Sequence, residues 1–406
     1  MTLAHFVHEL WRRLPARQRR TAYAWLSAAV APRPDPSAPA KAGPPWIVAG
    51  VLRSPSGLGQ TARLALASLR DHGPGAAAID LTSALMQPAS LPELDAADCP
   101  LGPGTILLYV TPPNMPRALA AIGRKRLKGK RLVAVWVWEL ERLPDSWVEQ
   151  ARFVHEIAAP THFAAEAIAR STGRQVRRLR YPLALEPSLE RQQPVGPFKI
   201  GFAFDIASTE ARKNPWDLIQ AFEAAFGLKD DVLLSIKTRS ADYDRQAWEH
   251  LQSRISAMGA RAELFCEDWS RERTLAWMAS LDLYASLHRS EGFGLTLAEA
   301  MHQGVPVLAT NWSATAEFVD AQVGFPVPYV LVPVEDRQQR HDVEEGRWAQ
   351  PEVAAAAEIL RKCYVNRGTL AAIGLAGRRR IEDEFSASGF ISDLGVLSGA
   401  HPQRSE

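Results

Sequence analysis

Residues 281–310, LDLYASLHRSEGFGLTLAEAMHQGVPVLAT, constrain the fold more than any other stretch of the chain. An apolar run, LDLYASL, leads into a loop holding Gly292 and Gly294, a helical segment follows, and VPVLAT is a second apolar run. Two strands separated by a helix of this length pair in parallel, because a parallel pair needs a crossover of about a dozen residues or more. Strands this apolar are covered on both faces. Gly304 is placed to cap the helix, and Pro306 to resume the extended chain.

The same alternation runs through the rest of the sequence. WIVAGVL (46–52) is followed by the glycine loop SPSGLGQ and a helical run, and AAAIDL, TILLYVT and RLVAVWVWEL continue the series. After the polar stretch 186–197 it restarts with FKIGFAF, VLLSIKT, AELFCE, LDLYASL and VPVLAT, separated by helices expected around 215–226, 248–258, 271–280 and 368–385. A chain of 406 residues is too long for one ordinary core. The expected architecture is α/β, with two Rossmann-like domains at 46–190 and 191–385 and a tail at 386–406.

Residues 1–31 interleave Phe6, Leu10, Trp11, Leu14, Tyr23, Trp25 and Leu26 with Arg12, Arg13, Arg17, Arg19 and Arg20. Such a helix suits an anionic membrane surface, and it equally suits docking on the protein's own body. PRPDPSAPAKAGPP (32–45) reads as an extended linker. A net charge of +2 sets up no field favouring nucleic acid, and Cys99, Cys266 and Cys363 lack the spacing of a zinc site or disulfide framework. Without an apolar run of about 18 residues, a cytoplasmic protein is expected.

Glycines at the start of the helix that follows this loop let backbone N–H groups approach a ligand, and the helix dipole favours an anion there. Glu291 and Glu299 flank that mouth with seven residues between them. Carboxylates only accept hydrogen bonds, which suits sugar hydroxyls. The spacing allows one glutamate to hold a hexose and the other a ribose, with a diphosphate bridging them.

EGFGL, EAM, the glycine and PV in residues 283–324 closely resemble the nucleotide-sugar site of glycosyltransferase family 4, retaining enzymes of the GT-B fold. The likeness extends more loosely over 46–385. It implies that Glu291 binds the transferred sugar, that Gly292, Phe293, Gly294, Leu295 and Thr296 offer backbone groups to sugar and phosphates, and that Glu299 binds ribose. It implies a phosphate-binding lysine at Lys213. Ser208 or Ala207 stands where the family commonly has arginine, so Arg212, Lys237 and Arg289 are candidates to compensate. His288 is a further donor-site candidate. Gly57 and Gly59 resemble the family's first glycine loop, although a plain turn accounts for them too.

Where many members carry a catalytic histidine, this sequence has Trp138 and Glu139. Glu139 is expected to bind acceptor hydroxyls or move a proton with a raised pKa, and Trp136 and Trp138 to stack on a sugar. His155 is a weaker candidate. The resemblance implies retention by front-face attack, metal-independent; no aspartate-x-aspartate motif is read in the second domain's site. The combination VWVWELERLPDSW, RKNPWDLIQAF, SIKT and SLHRSEGFGL is similar to bacterial mannosyltransferases of surface-polysaccharide assembly. GDP-mannose is the expected donor, with UDP-sugars as the alternative, and a lipid-linked or polysaccharide glycan is the expected acceptor. A catalytically silent nucleotide-sugar-binding protein is the reading from another class.

Overall fold

The computed structural model of the protein describes residues 28–29, 31–93, 99–185, 188–189, 196–341 and 343–399. The basic N-terminal segment expected to form an amphipathic helix therefore lies almost wholly outside the described residues. No helix among the described residues is long and apolar enough to cross a membrane.

The first sheet contains β1 (Trp46–Gly50), β2 (Ala76–Asp80), β3 (Gly104–Tyr109), β4 (Lys130–Val135), β5 (Glu156–Ala159) and β6 (Val176–Arg178) in the order β2-β1-β3-β4-β5-β6. Its assigned pairings are parallel, and β1 and β3 are buried along their whole length. Ser56 caps the helix Gly57–Asp71 by accepting from the Gly59 amide. The second sheet contains β7 (Phe198–Ala203), β8 (Val232–Thr238), β9 (Ala262–Cys266), β10 (Leu283–Ser286), β11 (Val307–Thr310) and β12 (Phe325–Val327) in the parallel order β12-β11-β10-β7-β8-β9. Helices Pro215–Ala225, Arg245–Ala257, Arg271–Ala279, Leu295–His302 and Leu370–Glu384 lie where the sequence pattern puts them. An antiparallel hairpin, β13 (Tyr329–Pro333) and β14 (Arg347–Pro351), follows β12.

Two parallel six-stranded Rossmann-like domains make this a GT-B fold. The expected boundary near 190 falls between β6 and β7. Compactness divides the chain differently: one unit holds the chain to Trp136, with 145–158 and 394 onward, and the other holds Val137–Pro144 and Ala159–Asp393. The second unit claims these extra segments through specific contacts. Thr161 donates to the Gly292 carbonyl at 3.0 Å, and Arg180 pairs with Asp393 at 2.7 Å.

Three expectations are corrected. The apolar run RLVAVWVWEL is not one strand: β4 ends at Val135, and 137–144 joins the second unit. The proline-rich 32–45 stretch is not a free linker. Asp35 accepts from the Gly129 amide at 2.8 Å, the Pro39 carbonyl accepts from Arg131 at 2.8 Å, and Ala42 is buried. The expected tail folds as the helix Ala387–Ser398, with Phe390, Leu394 and Leu397 buried.

Candidate active site

In the second sheet β7 has β8 on one side and β10 on the other, so the strand order reverses between β7 and β10. Open α/β sheets bind ligands beyond the carboxyl ends of the strands at such a point. The chain leaving β7 delivers Arg212 and Lys213, and the chain leaving β10 delivers His288 and Glu291. Residues 78 positions apart thus meet because the sheet topology brings two strand ends together.

Glu291 is 8% exposed. One carboxylate oxygen accepts from Lys213 Nζ, and the other lies 3.3 Å from Arg212 Nη1. Its amide donates to Ser313 Oγ at 2.9 Å, which fixes the loop. Burial pushes the carboxyl up, but Lys213 and Arg212 outweigh it and hold its pKa down to about 2. The same burial lowers the pKa of Lys213. Burial opposes the charge on Arg212 as well, yet Glu291 and Glu139 outweigh it and raise its pKa.

Of the three candidates for the missing arginine, Arg212 is the one that lies over Ser208. Its guanidinium reaches back over Ser208, donating to the carbonyl at 3.1 Å and to Oγ at 3.0 Å, and Nη1 donates to the Ser290 carbonyl at 2.7 Å. The small side chain at 208 leaves room for a guanidinium supplied from four residues on. The backbone carries strain here, with φ of +69° at Thr209 and +55° at Asn214.

The loop glycines have separate reasons. Gly294 caps the helix at φ +89° and would bring a Cβ within 2.4 Å of Thr315 Cγ2. A Cβ on Gly292 would lie 2.4 Å from Val137 Cγ1 and 2.9 Å from the Trp138 carbonyl oxygen. Phe293 turns inward onto Tyr181, Phe318 and Phe385, so its side chain anchors the loop. Leu295 and Thr296 are partly exposed in the first helical turn, where backbone N–H groups have no intrahelical partner. Glu299 is buried, with Arg271 Nη2 at 2.8 Å from its carboxylate.

Glu139 joins the cluster. One of its oxygens lies 3.6 Å from Arg212 and the other 3.6 Å from His341 Nε2, while its carbonyl accepts from Ser290 Oγ. Burial raises its pKa, but Arg212 and His341 outweigh burial, so the carboxyl sits below its ordinary value. The raised pKa expected from the sequence is thereby corrected.

The other candidates have surroundings of their own. Trp136 and Trp138 are 1% and 2% exposed, so neither ring presents a face for sugar stacking. His288 is buried, bonding Thr315 at 2.9 Å and Ser286 at 3.2 Å, and burial lowers its pKa to about 4. Arg289 is occupied by Gln350 and the Ala211 carbonyl. Lys237 lies 5.7 Å from the Trp269 ring centre. Gly57 and Gly59 belong to the first unit, where a Cβ on Gly59 would strike the Ser54 and Val51 carbonyls at 2.5 and 2.6 Å. His155 bonds the Leu132 amide there. An aspartate-x-aspartate pair does occur, Asp242 and Asp244, but Asp244 caps the helix Arg245–Ala257 and pairs with Arg337, and Asp242 pairs with Arg245. Sequence reasoning missed Ser290, Ser313, Asp336 and His341, because no motif spacing ties them to Glu291.

The fold and the switch-point cluster define a protein of the GT-B class. Residues 199–341 match the model of the family described as glycosyl transferases group 1. Among sequences, it is similar to the lipopolysaccharide core biosynthesis mannosyltransferase LpsB of Rhizobium meliloti, 54% identical over 43 residues. That match covers 11% of this chain and 12% of the relative, so the chain spans about an eighth of that relative's length. Among solved structures, Anabaena HepE in complex with UDP and glucose aligns with a TM-score of 0.63 and 16% identity over 88% of this chain and 99% of that one. S. aureus TarM aligns with a TM-score of 0.55 and 13% identity over 72% of this chain and 55% of that one.

Proposed function

We propose that the protein is a retaining hexosyltransferase of glycosyltransferase family 4 that transfers mannose from GDP-mannose to a lipid-linked or polysaccharide glycan in cell-surface polysaccharide assembly. The observation that carries this reading is the convergence of Glu291, Lys213 and Arg212 at the switch point, beside the N-terminus of the helix Leu295–His302. Lys213, Arg212 and the helix amides supply the positive field a departing diphosphate needs, in a site shielded from water. Glu291 accepts from hexose hydroxyls and Glu299 from ribose. Front-face attack then lets the leaving phosphate oxygen take the acceptor's proton, so no metal is needed. Glu139, held ionised, orients Arg212 rather than donating a proton.

The mannosyl donor is supported by the short, strong match to LpsB. A UDP-sugar is the second reading, favoured by the structural neighbour HepE, which was solved with UDP and glucose. We place the reaction at the inner face of the cytoplasmic membrane, supported by the arginines of residues 12–20.

The test is a nucleotide-sugar panel read by melting temperature and turnover in the presence of EDTA. GDP-mannose at about 100 times its Kd should add about 2.7 kcal/mol of stability. Glu291→Ala should abolish transfer while the protein stays folded. Greater stabilisation by UDP-sugars would establish the second reading, and binding without turnover would make the protein a silent nucleotide-sugar-binding module. Loss of turnover in EDTA would refute the metal-independent route.

A further inference from the structure

The loop joining β13 to β14 carries the buried His341 and Asp336, whose side chain is enclosed, and the donor reading assigns neither a role. His341 is 5% exposed, and its ring lies 5.4 Å from that of Trp138 and 6.5 Å from that of Trp348. Nδ1 is 3.2 Å from Asp336 Oδ2, and Nε2 is 3.6 Å from Glu139 Oε2. Asp336 also accepts from the amides of Gln338, Arg340 and His341 at 2.8, 2.8 and 3.1 Å, so the loop is wound around its carboxylate. The loop is fastened from outside too: Arg337 donates to Gln246 at 2.6 Å and pairs with Asp244, and the Arg340 guanidinium lies 4.8 Å from the Tyr243 ring centre. These ties fix where His341 points.

Beyond Glu139 the chain of charges continues to Arg212 at 3.6 Å, then to Glu291 at 3.3 Å, and ends on Lys213. Asp336, His341, Glu139, Arg212, Glu291 and Lys213 therefore alternate in sign. Three carboxylates face an arginine, a lysine and a histidine, so the row is neutral only with the imidazole protonated. An unpaired carboxylate in such surroundings is costly, and Glu139 without His341 would draw Arg212 towards itself.

We propose that His341 is a positioning residue of the donor site: it holds Glu139, so that Arg212 stays shared between Glu139 and Glu291 and remains available to a diphosphate. The inference rests on the reading of Arg212, Lys213 and Glu291 as the phosphate and sugar grip. Burial lowers the pKa of the imidazole, but Asp336 and Glu139 outweigh it and raise the pKa, consistent with a paired cation. The groups facing the ring are Asp336 from its own loop, Trp138 and Glu139 from 137–144, Arg212 behind Glu139, and Trp348 from β14.

The test measures GDP and UDP binding by calorimetry at neutral pH for the full chain and for His341→Ala, His341→Gln, Glu139→Gln and the His341→Ala/Glu139→Gln double variant. His341→Ala should weaken the nucleoside diphosphate that binds by about tenfold. His341→Gln keeps a donor towards Glu139 and should fall between His341→Ala and wild type. The double variant should bind as Glu139→Gln does, because the histidine acts only through that carboxylate. Unchanged binding in His341→Ala, or a loss that persists in full when Glu139 is also replaced, overturns the proposal. Wild-type protein that binds neither GDP nor UDP overturns the donor reading and this inference with it. Should His341→Ala not fold, the titration of the His341 ring by NMR decides: its pKa should drop in Glu139→Gln, and an unmoved pKa overturns the contact.

Discussion

Glu291 is legible in the sequence as a hydrogen-bond acceptor, and the structure adds that it is the counter-charge of two cations, the buried Arg212 and the half-buried Lys213. Its pKa is depressed to about 2, below the ordinary carboxyl value. A depressed folded-state pKa gives stability that is present above the unfolded value and is lost as pH falls through the folded one. Wild-type protein should therefore lose stability between about pH 4.5 and pH 2, and Glu291→Gln should show a shallower acid limb in melts across that window. At neutral pH, Glu291→Gln should be less stable by about 3 kcal/mol, because the buried Arg212 and the half-buried Lys213 then lose the carboxylate they share. Lys213 could be read from its place after the first strand of the second domain. Arg212 is one of three candidates beside it, and only the structure separates it from Lys237 and Arg289 by placing its guanidinium over Ser208 and 3.3 Å from Glu291. Asp336 and His341 were hidden: nothing in EDRQQRH shows that a loop will carry it to Glu139.

At the scale of elements, the loop between β10 and the helix Leu295–His302 combines two constraints that one sequence pattern cannot separate. Gly294 is needed for a positive φ, which any βα unit with this turn would require. Gly292 has no positive φ; it is needed because Val137 and Trp138 lie against it. Gly292→Ala should cost about 1 to 3 kcal/mol by overpacking, lowering the melting temperature by several degrees. A melting temperature within about one degree of wild type would show that 137–138 yields without cost. The segment 137–144 is also the clearest failure of sequence reading among the elements. Its apolar residues continue the pattern of β4, and periodicity records that a residue is buried without recording which body buries it.

At the scale of the whole molecule, the first 45 residues divide into parts with different consequences. Residues 32–45 dock on the first unit through Asp35, Pro39, Gly43 and Ala42. Deleting 1–45 should therefore lower the melting temperature, and deleting only 1–27 should weaken binding to anionic vesicles. Equal vesicle binding by the full chain and the 1–27 deletion would rule out a membrane role for the arginines. The α/β alternation, the two parallel sheets, the glycine-framed helix mouth and the glutamate pair were determined by the sequence alone, because each depends on local periodicity or on a contiguous motif. Tertiary structure decided the rest: which unit holds Trp138 and Glu139, that the tryptophans are buried, that the Arg212 guanidinium lies over Ser208 beside Glu291, and that His341 reaches the cluster. Those outcomes depend on contacts between residues far apart in the chain, and such contacts are set by how strands and loops are brought together in space.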